Sequence, residues 1–185
     1  MPDKILADGA AEVIKTGILD GEPLFNLAEQ GQIKRNAENI IGMCISYKAK
    51  IVGSDEFERG PRKLLNLGHT VAHAIEKLSD YTTSHGQAVA AGTALISRAA
   101  VEMGLCSVID CNRIIAALKA YGLPVETVFG ASELAEAAIA DKKRSGESIT
   151  LVIPRKIGKC ELVETPINDL QAIIEKGLKP PEAVR

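Results

Sequence analysis

The sequence contains no tryptophan, and aromatic residues make up only 3% of its 185 positions. A core cannot rest on large rings here and must be assembled from Ala, Ile, Leu and Val, a composition that favours packed helices. Cysteine is sparse: Cys44, Cys106, Cys111 and Cys160 show no CxxC spacing and no signal-like leader precedes them. They read as reduced thiols in a cytoplasmic protein. No apolar run reaches the roughly 20 residues that a membrane helix needs, so no membrane partner is expected. Lys and Arg number 22 against 24 Asp and Glu, with neither a basic run nor an aromatic-basic interleave. That excludes an electrostatic nucleic-acid surface and points to a small partner. Histidine is scarce too, and its three copies, His69, His73 and His85, fall in one short stretch.

What is present reads as one helical domain over 1–185. Hydrophobic residues make up 46% and charged residues 25%, enough for a substantial core. Helical spacing of apolar residues predicts helices over Ala10–Leu19 and Gln32–Val52, and Gly60-Pro61 marks a loop. Further helices are predicted over Asn66–Leu78, His85–Met103 with Ser84 as N-cap, Cys111–Tyr121, Ser132–Lys143 and Asn168–Lys176. The β-branched runs Ser148–Ile153 and Lys159–Val163, parted by Pro154–Gly158, predict a small hairpin. The fold class is therefore mainly α, a multi-helix domain with a β-hairpin near the C-terminus. Residues 178–185, with Pro180-Pro181, are expected to fray.

Imidazole is both a common metal ligand and the side chain that titrates nearest neutral pH. His69 and His73, four apart on a predicted helix, project from one face and could share a ligand. HxxxH alone is weak, because a helical histidine pair is more often an ordinary surface or core feature. His85 adds to it. The helix climbs about 14 Å from His69 to Leu78, and the residues from Ser79 to His85 can span about 23 Å, long enough to bring His85 back alongside His69. A metal would still need a carboxylate, and periodicity does not choose one among the 24 acidic residues. Lys15, Lys48, Lys50, Arg62, Lys63, Lys142, Lys143 and Arg144 are candidates for an anionic ligand, although each taken singly is more simply a solvated charge.

Several motifs agree in order and spacing with one family. Ala11-Glu12-Val13-Ile14-Lys15, then Lys48 with Asp55-Glu56, then Arg62-Lys63-Leu64-Leu65-Asn66-Leu67-Gly68-His69-Thr70 form the first part. His73-Ala74-Ile75-Glu76, His85-Gly86-Gln87-Ala88-Val89-Ala90 and Asp141-Lys142-Lys143 complete it. Together they resemble the C-terminal half of 3-dehydroquinate synthase, over nearly the whole chain.

That resemblance implies a shikimate-pathway lyase that closes 3-deoxy-D-arabino-heptulosonate 7-phosphate to 3-dehydroquinate, with bound NAD and a divalent metal, Zn2+ or another such as Co2+. It implies Glu12, His69 and His85 as metal ligands. Lys48 and Arg62 are implied to hold the substrate carboxylate, and Asn66, His73 and Lys142 its phosphate, with Lys143 fitting the motif as well as Lys142. Lys15 is implied beside the reacting hydroxyls. The family chemistry runs through hydride transfer, phosphate elimination, hydride return, ring opening and aldol closure, and the substrate's own phosphate assists proton removal. The enzyme then chiefly positions the reacting groups.

The chain departs from the family pattern at Thr16, where an aromatic is usual, at Ala72, where glycine is usual, and at Gln87, where glutamate is usual. Gln87 is expected to tune support of the metal ligands rather than abolish it. The larger departure is the absence of a GxGxxG turn or comparable nucleotide-binding unit. Met1-Pro2-Asp3 matches the point just after the family's NAD-binding half, so that half is an expected partner and the chain alone is expected not to turn over. The full-length enzyme is expected to be a homodimer. Rival readings are another sugar phosphate cyclase, a metal-dependent alcohol or glycerol dehydrogenase-like domain, and a non-catalytic helical module that binds metal or a partner.

Overall fold

The computed structural model describes residues 2–142 and 147–179, and among them the side chains of all but residues 3, 141 and 142. The elements run α1 Asp3–Asp20, α2 Glu22–Glu29, α3 Ala37–Ser54, a 3-10 turn Pro61–Asn66, α4 His69–Leu78, α5 His85–Glu102, α6 Val108–Ala120, α7 Ala131–Lys142, β1 Ser148–Lys156, β2 Lys159–Pro166 and α8 Ile167–Leu178. The mainly helical class with a late hairpin is as expected. No described helix is long and apolar enough to cross a membrane.

The boundaries differ from the predicted ones for local reasons. Gly21, at φ +122°, breaks the chain after α1, and Pro23 in the first turn starts α2, a short helix that periodicity did not predict. The helix expected from Gln32 begins only at Ala37, and that expected from Asn66 is divided by Gly68. The hairpin continues through Pro154, where the register shifts, and turns at Ile157-Gly158 with Gly158 at φ +84°. Helix α8 reaches Leu178, one residue into the segment expected to fray; residues 180–185 lie outside the described residues.

Helix α5 is the axis of the domain. Its small side chains let α1, α4, α6, α8 and β1 pack around it, and it is buried from Ala88 to Ala100. On α1, Ala10, Ala11, Ile14 and Ile18 form the matching face; Ile14 and Ile18 are 0% exposed, and each such side chain contributes about 1.5–3 kcal/mol by burial. Gly86 in the first turn of α5 sits against the backbone of Asp8, where a Cβ would collide. Ser84 Oγ also donates to Asp8 Oδ1 at 2.5 Å. This contact sets α1 beside the start of α5, with Glu12 one turn beyond Asp8 and His85 next to Gly86. Similarly, Gly68 has φ +76°, and a Cβ there would lie 2.5 Å from Thr93 Oγ1 on α5. Only glycine suits both demands, and the next residue is His69.

Candidate metal centre and substrate cleft

Three elements deliver three ligand atoms to one place. Glu12 from α1, His69 from the first turn of α4 and His85 from the first turn of α5 bring a carboxylate oxygen and two imidazole nitrogens within 4.8 Å of one another. Glu12 Oε1 lies 3.9 Å from His69 Nε2 and 3.6 Å from His85 Nε2. A tetrahedral zinc with bonds of about 2.0–2.2 Å holds neighbouring ligand atoms about 3.3–3.5 Å apart. The two separations from Glu12 Oε1 come within about half an ångström of that.

The tautomers follow from the outer partners. His69 Nδ1 is 3.1 Å from the Leu67 carbonyl and His85 Nδ1 is 2.9 Å from Glu76 Oε1. A carbonyl and a carboxylate can only accept, so both Nδ1 atoms carry the proton and, in neutral rings, both Nε2 atoms present lone pairs. Glu12 Oε1 faces those lone pairs, shut from solvent and without a hydrogen-bond partner. Three electron-pair donors converging with no proton between them is the donor set of a cation site. The residues therefore fit a divalent metal.

Charge states agree with this. Burial pushes the His69 pKa down to about 4, with Lys15 adding to the effect against the opposing Leu67 bond and Glu12, so the ring is neutral near pH 7. Burial raises the Glu12 carboxyl, but the Lys15 ammonium, 2.8 Å from Oε2, opposes it, and the net effect holds the carboxyl below its ordinary value. Lys15, only 6% exposed, is lowered by burial, opposed by Glu12 and assisted by the charge of Lys48.

The same three residues line a cleft of about 540 Å³ into which Lys15, Lys48, Arg62, Asn66 and Glu58 also open, a volume in the usual range for small-ligand sites. Lys48 comes from α3; Arg62 and Asn66 come from the 3-10 turn. Asp55 fixes the preceding loop by accepting from the backbone N–H of Arg59, Gly60 and Arg62 at 3.0, 2.7 and 3.1 Å. Arg62 Nη1 donates to the Glu56 carbonyl at 2.6 Å, and Asn66 Nδ2 donates to Glu58 Oε1 at 2.7 Å. Three cationic side chains against two carboxylates give this lining a net positive charge, which suits an anion.

His73 is exposed and its ring centroid lies 5.5 Å from that of His69, outside the lining of the cleft. His69 to His85 is 5.3 Å. The Lys142 side chain and all of Lys143 lie outside the described residues. Gln87 turns its amide back to accept from Ser84 N at 3.2 Å, one arm of a capping box, so the carboxylate beside His85 is supplied by Glu76 instead. Sequence reasoning assigned no role to Glu76 or Glu58. The His-x-x-Glu spacing on α4 was a usable signal for the first; the second sits at φ +55° in a loop, where periodicity carries nothing.

Comparison with known proteins places this geometry. The chain is 37% identical over 178 residues to the 3-dehydroquinate synthases of Streptococcus thermophilus and Pelobacter propionicus, covering 92% of this chain and 50% of each relative. The chain thus spans about half the length of the curated relatives it matches. Among solved structures, 2-epi-5-epi-valiolone synthase of Streptomyces hygroscopicus subsp. jinggangensis 5008, bound to NAD+ and Zn2+, superimposes with a TM-score of 0.83 at 23% identity, over 96% of this chain and 52% of that one. A 2-deoxy-scyllo-inosose synthase complexed with carbaglucose-6-phosphate, NAD+ and Co2+ gives 0.75 at 20% identity, over 94% and 51%. These two likenesses establish the fold. The family model described as 3-dehydroquinate synthase C-terminal matches residues 9–144, and the chain belongs to that family.

Proposed function

We propose that this chain is the metal- and substrate-binding half of a 3-dehydroquinate synthase, the lyase that converts 3-deoxy-D-arabino-heptulosonate 7-phosphate to 3-dehydroquinate and phosphate. The observation that carries the reading is the meeting of Glu12, His69 and His85 in one cleft with Lys15, Lys48, Arg62 and Asn66. Glu12 Oε1 and the Nε2 atoms of the two histidines would hold Zn2+ or another divalent cation such as Co2+. When bound, the metal supplies Lewis-acid polarisation of substrate hydroxyls.

The chain's own residues do the rest of the positioning. Lys48 and Arg62 are suited to grip the substrate carboxylate, an ammonium beside a planar fork. Asn66, His73 and Lys142 are assigned the phosphate; Asn66 keeps one amide N–H for it while Glu58 holds the other. Lys15 stands beside the metal ligands, and its lowered pKa suits proton exchange with a nearby hydroxyl. Glu58, an exposed carboxylate in the cleft, is a further proton acceptor within reach of the same substrate. No residue here is assigned to NAD, so turnover requires the nucleotide-binding half, and the chain alone stays inactive. The complete enzyme is a cytoplasmic homodimer in this reading; the four free cysteines suit a reducing compartment.

The test is to join or co-express the chain with the nucleotide-binding half of a relative and follow phosphate and dehydroquinate formation. Activity in the joined protein, absent from either half, supports the reading. A joined protein that binds zinc and NAD yet forms no dehydroquinate contradicts it and favours the binding-module alternative. Retention of both Lys48 and Arg62 argues for a carboxylate-bearing substrate over those of other sugar phosphate cyclases.

A further inference from the structure

The two oxygens of Glu12 meet different partners. Oε1 faces the Nε2 atoms of His69 and His85 at 3.9 and 3.6 Å, shut from solvent and without a hydrogen-bond partner. Oε2 receives the Lys15 ammonium at 2.8 Å. Glu12 and Lys15 stand three apart on α1 and so share a face of the helix. Lys15 is 6% exposed, so water does little for its ammonium, and the Glu12 carboxylate is the partner that offsets its burial.

That division decides how Glu12 can serve a cation. A carboxylate coordinates a metal through one oxygen or through both. For Oε2 to join Oε1 on the ion, the carboxylate would have to turn it away from Lys15 toward the histidines. The buried ammonium would then either lose its carboxylate or be drawn toward a divalent charge, and both are unfavourable. Lys15 thus restricts Glu12 to a single donor atom. With two imidazoles that makes three donors, which leaves a position of a tetrahedral ion open. A Glu12 bound through both oxygens would fill that position and would suit an ion that prefers more oxygen ligands, such as Mn2+.

We propose that Lys15 is a positioning residue: it keeps Glu12 on the metal through one oxygen only, holds a coordination position open for a substrate oxygen, and biases the centre toward Zn2+ and Co2+ over Mn2+. The proposal rests on the metal reading of this site and adds to it how its carboxylate binds.

The test measures Zn2+ and Mn2+ affinities of the full chain and of Lys15→Met, which has a neutral side chain of similar length, with helical circular dichroism confirming the fold. Loss of the ammonium strengthens binding of every divalent ion, so the ratio of the two affinities, in which that common effect cancels, is the deciding quantity. The Zn2+ preference falls about tenfold in Lys15→Met, and the visible absorption of its Co2+ form weakens as the coordination number rises. A ratio or a Co2+ spectrum that matches the unaltered chain overturns the proposal and leaves the metal centre standing. An unaltered chain that takes up none of these metals overturns the metal reading and this proposal with it. Should Lys15→Met fail to fold, Lys15→Ala, which suits the helix, takes its place in the same measurements.

Discussion

Glu76 Oε1 accepts the Nδ1 proton of His85 at 2.9 Å, reaching across the loop that separates α4 from α5. That bond orients the most exposed of the three proposed ligands. His85 is 50% exposed, against 14% for His69 and 42% for Glu12. The first turn of α5 fixes the His85 backbone, but among the described residues the ring has no other hydrogen bond. Glu76→Ala is therefore expected to lower zinc affinity about 10- to 100-fold with the helical circular dichroism retained. Competition titration against a zinc chelator reads the change, and an unaltered affinity removes Glu76 from the account.

The left-handed turn at Gly68 places His69. Gly68→Ala forces a β-carbon into Thr93 at a backbone angle that side chains avoid, so a loss of about 1–3 kcal/mol or more is expected. Urea denaturation measures it. Gly9→Ala, on α1 with open space around the glycine, is the control and should leave the midpoint the same or raised.

Arg113 ties α6 to α2. Its fork meets Glu22 at 2.8 and 3.0 Å and Glu29 at 3.0 and 2.8 Å, and it lies over the Phe25 ring at 5.2 Å. Arg113→Ala is expected to cost about 1–2 kcal/mol, with Arg113→Lys recovering little, because an ammonium cannot bond both carboxylates in parallel. Hydrogen bonding from Arg113 holds the Glu22 carboxyl below its ordinary 4.5. The folded state therefore binds fewer protons there than the unfolded one, and the Glu22 contribution is present above about pH 4.5 and lost as pH falls below it. Denaturation midpoints of the two proteins should converge in acid; a constant gap excludes the linkage.

Lys48 and Arg62 are assigned to a carboxylate. In the metal-loaded joined protein, Lys48→Ala or Arg62→Ala should weaken a carboxylate-bearing substrate analogue by about 10- to 100-fold. A carboxylate-free analogue should bind as before. Equal losses for both analogues would mean that the pair contacts some other part of the ligand.

The legible parts of the fold were those with a strong local signal: the long apolar stripe that falls mostly on α3, the small-residue run of α5 with its Ser84 cap, and the β-branched runs of the hairpin. Short α2 was hidden because two turns between Gly21 and Gln30 give too few residues for a periodic signal. Spacing offered His69 with His73, and helical proximity is real, at 5.5 Å between rings. It could not find Glu12, since the approach of α1 to α5 depends on the missing side chain of Gly86 and the Ser84–Asp8 bond, contacts between positions distant in the chain. Family resemblance named Glu12, His69 and His85 together, and the folded geometry supplies what neither motif nor spacing contained: the orphaned Glu12 oxygen and the two anchored Nδ1 atoms.

Zinc content of four single variants, measured by elemental analysis after equilibration with the metal and gel filtration, tests the centre most directly. One zinc per chain is expected in the unaltered protein and in His73→Ala, and a loss of binding of at least about tenfold in Glu12→Gln, His69→Ala and His85→Ala. Full zinc in His85→Ala together with loss in His73→Ala would contradict that expectation, and would return the site to the helical pair on α4.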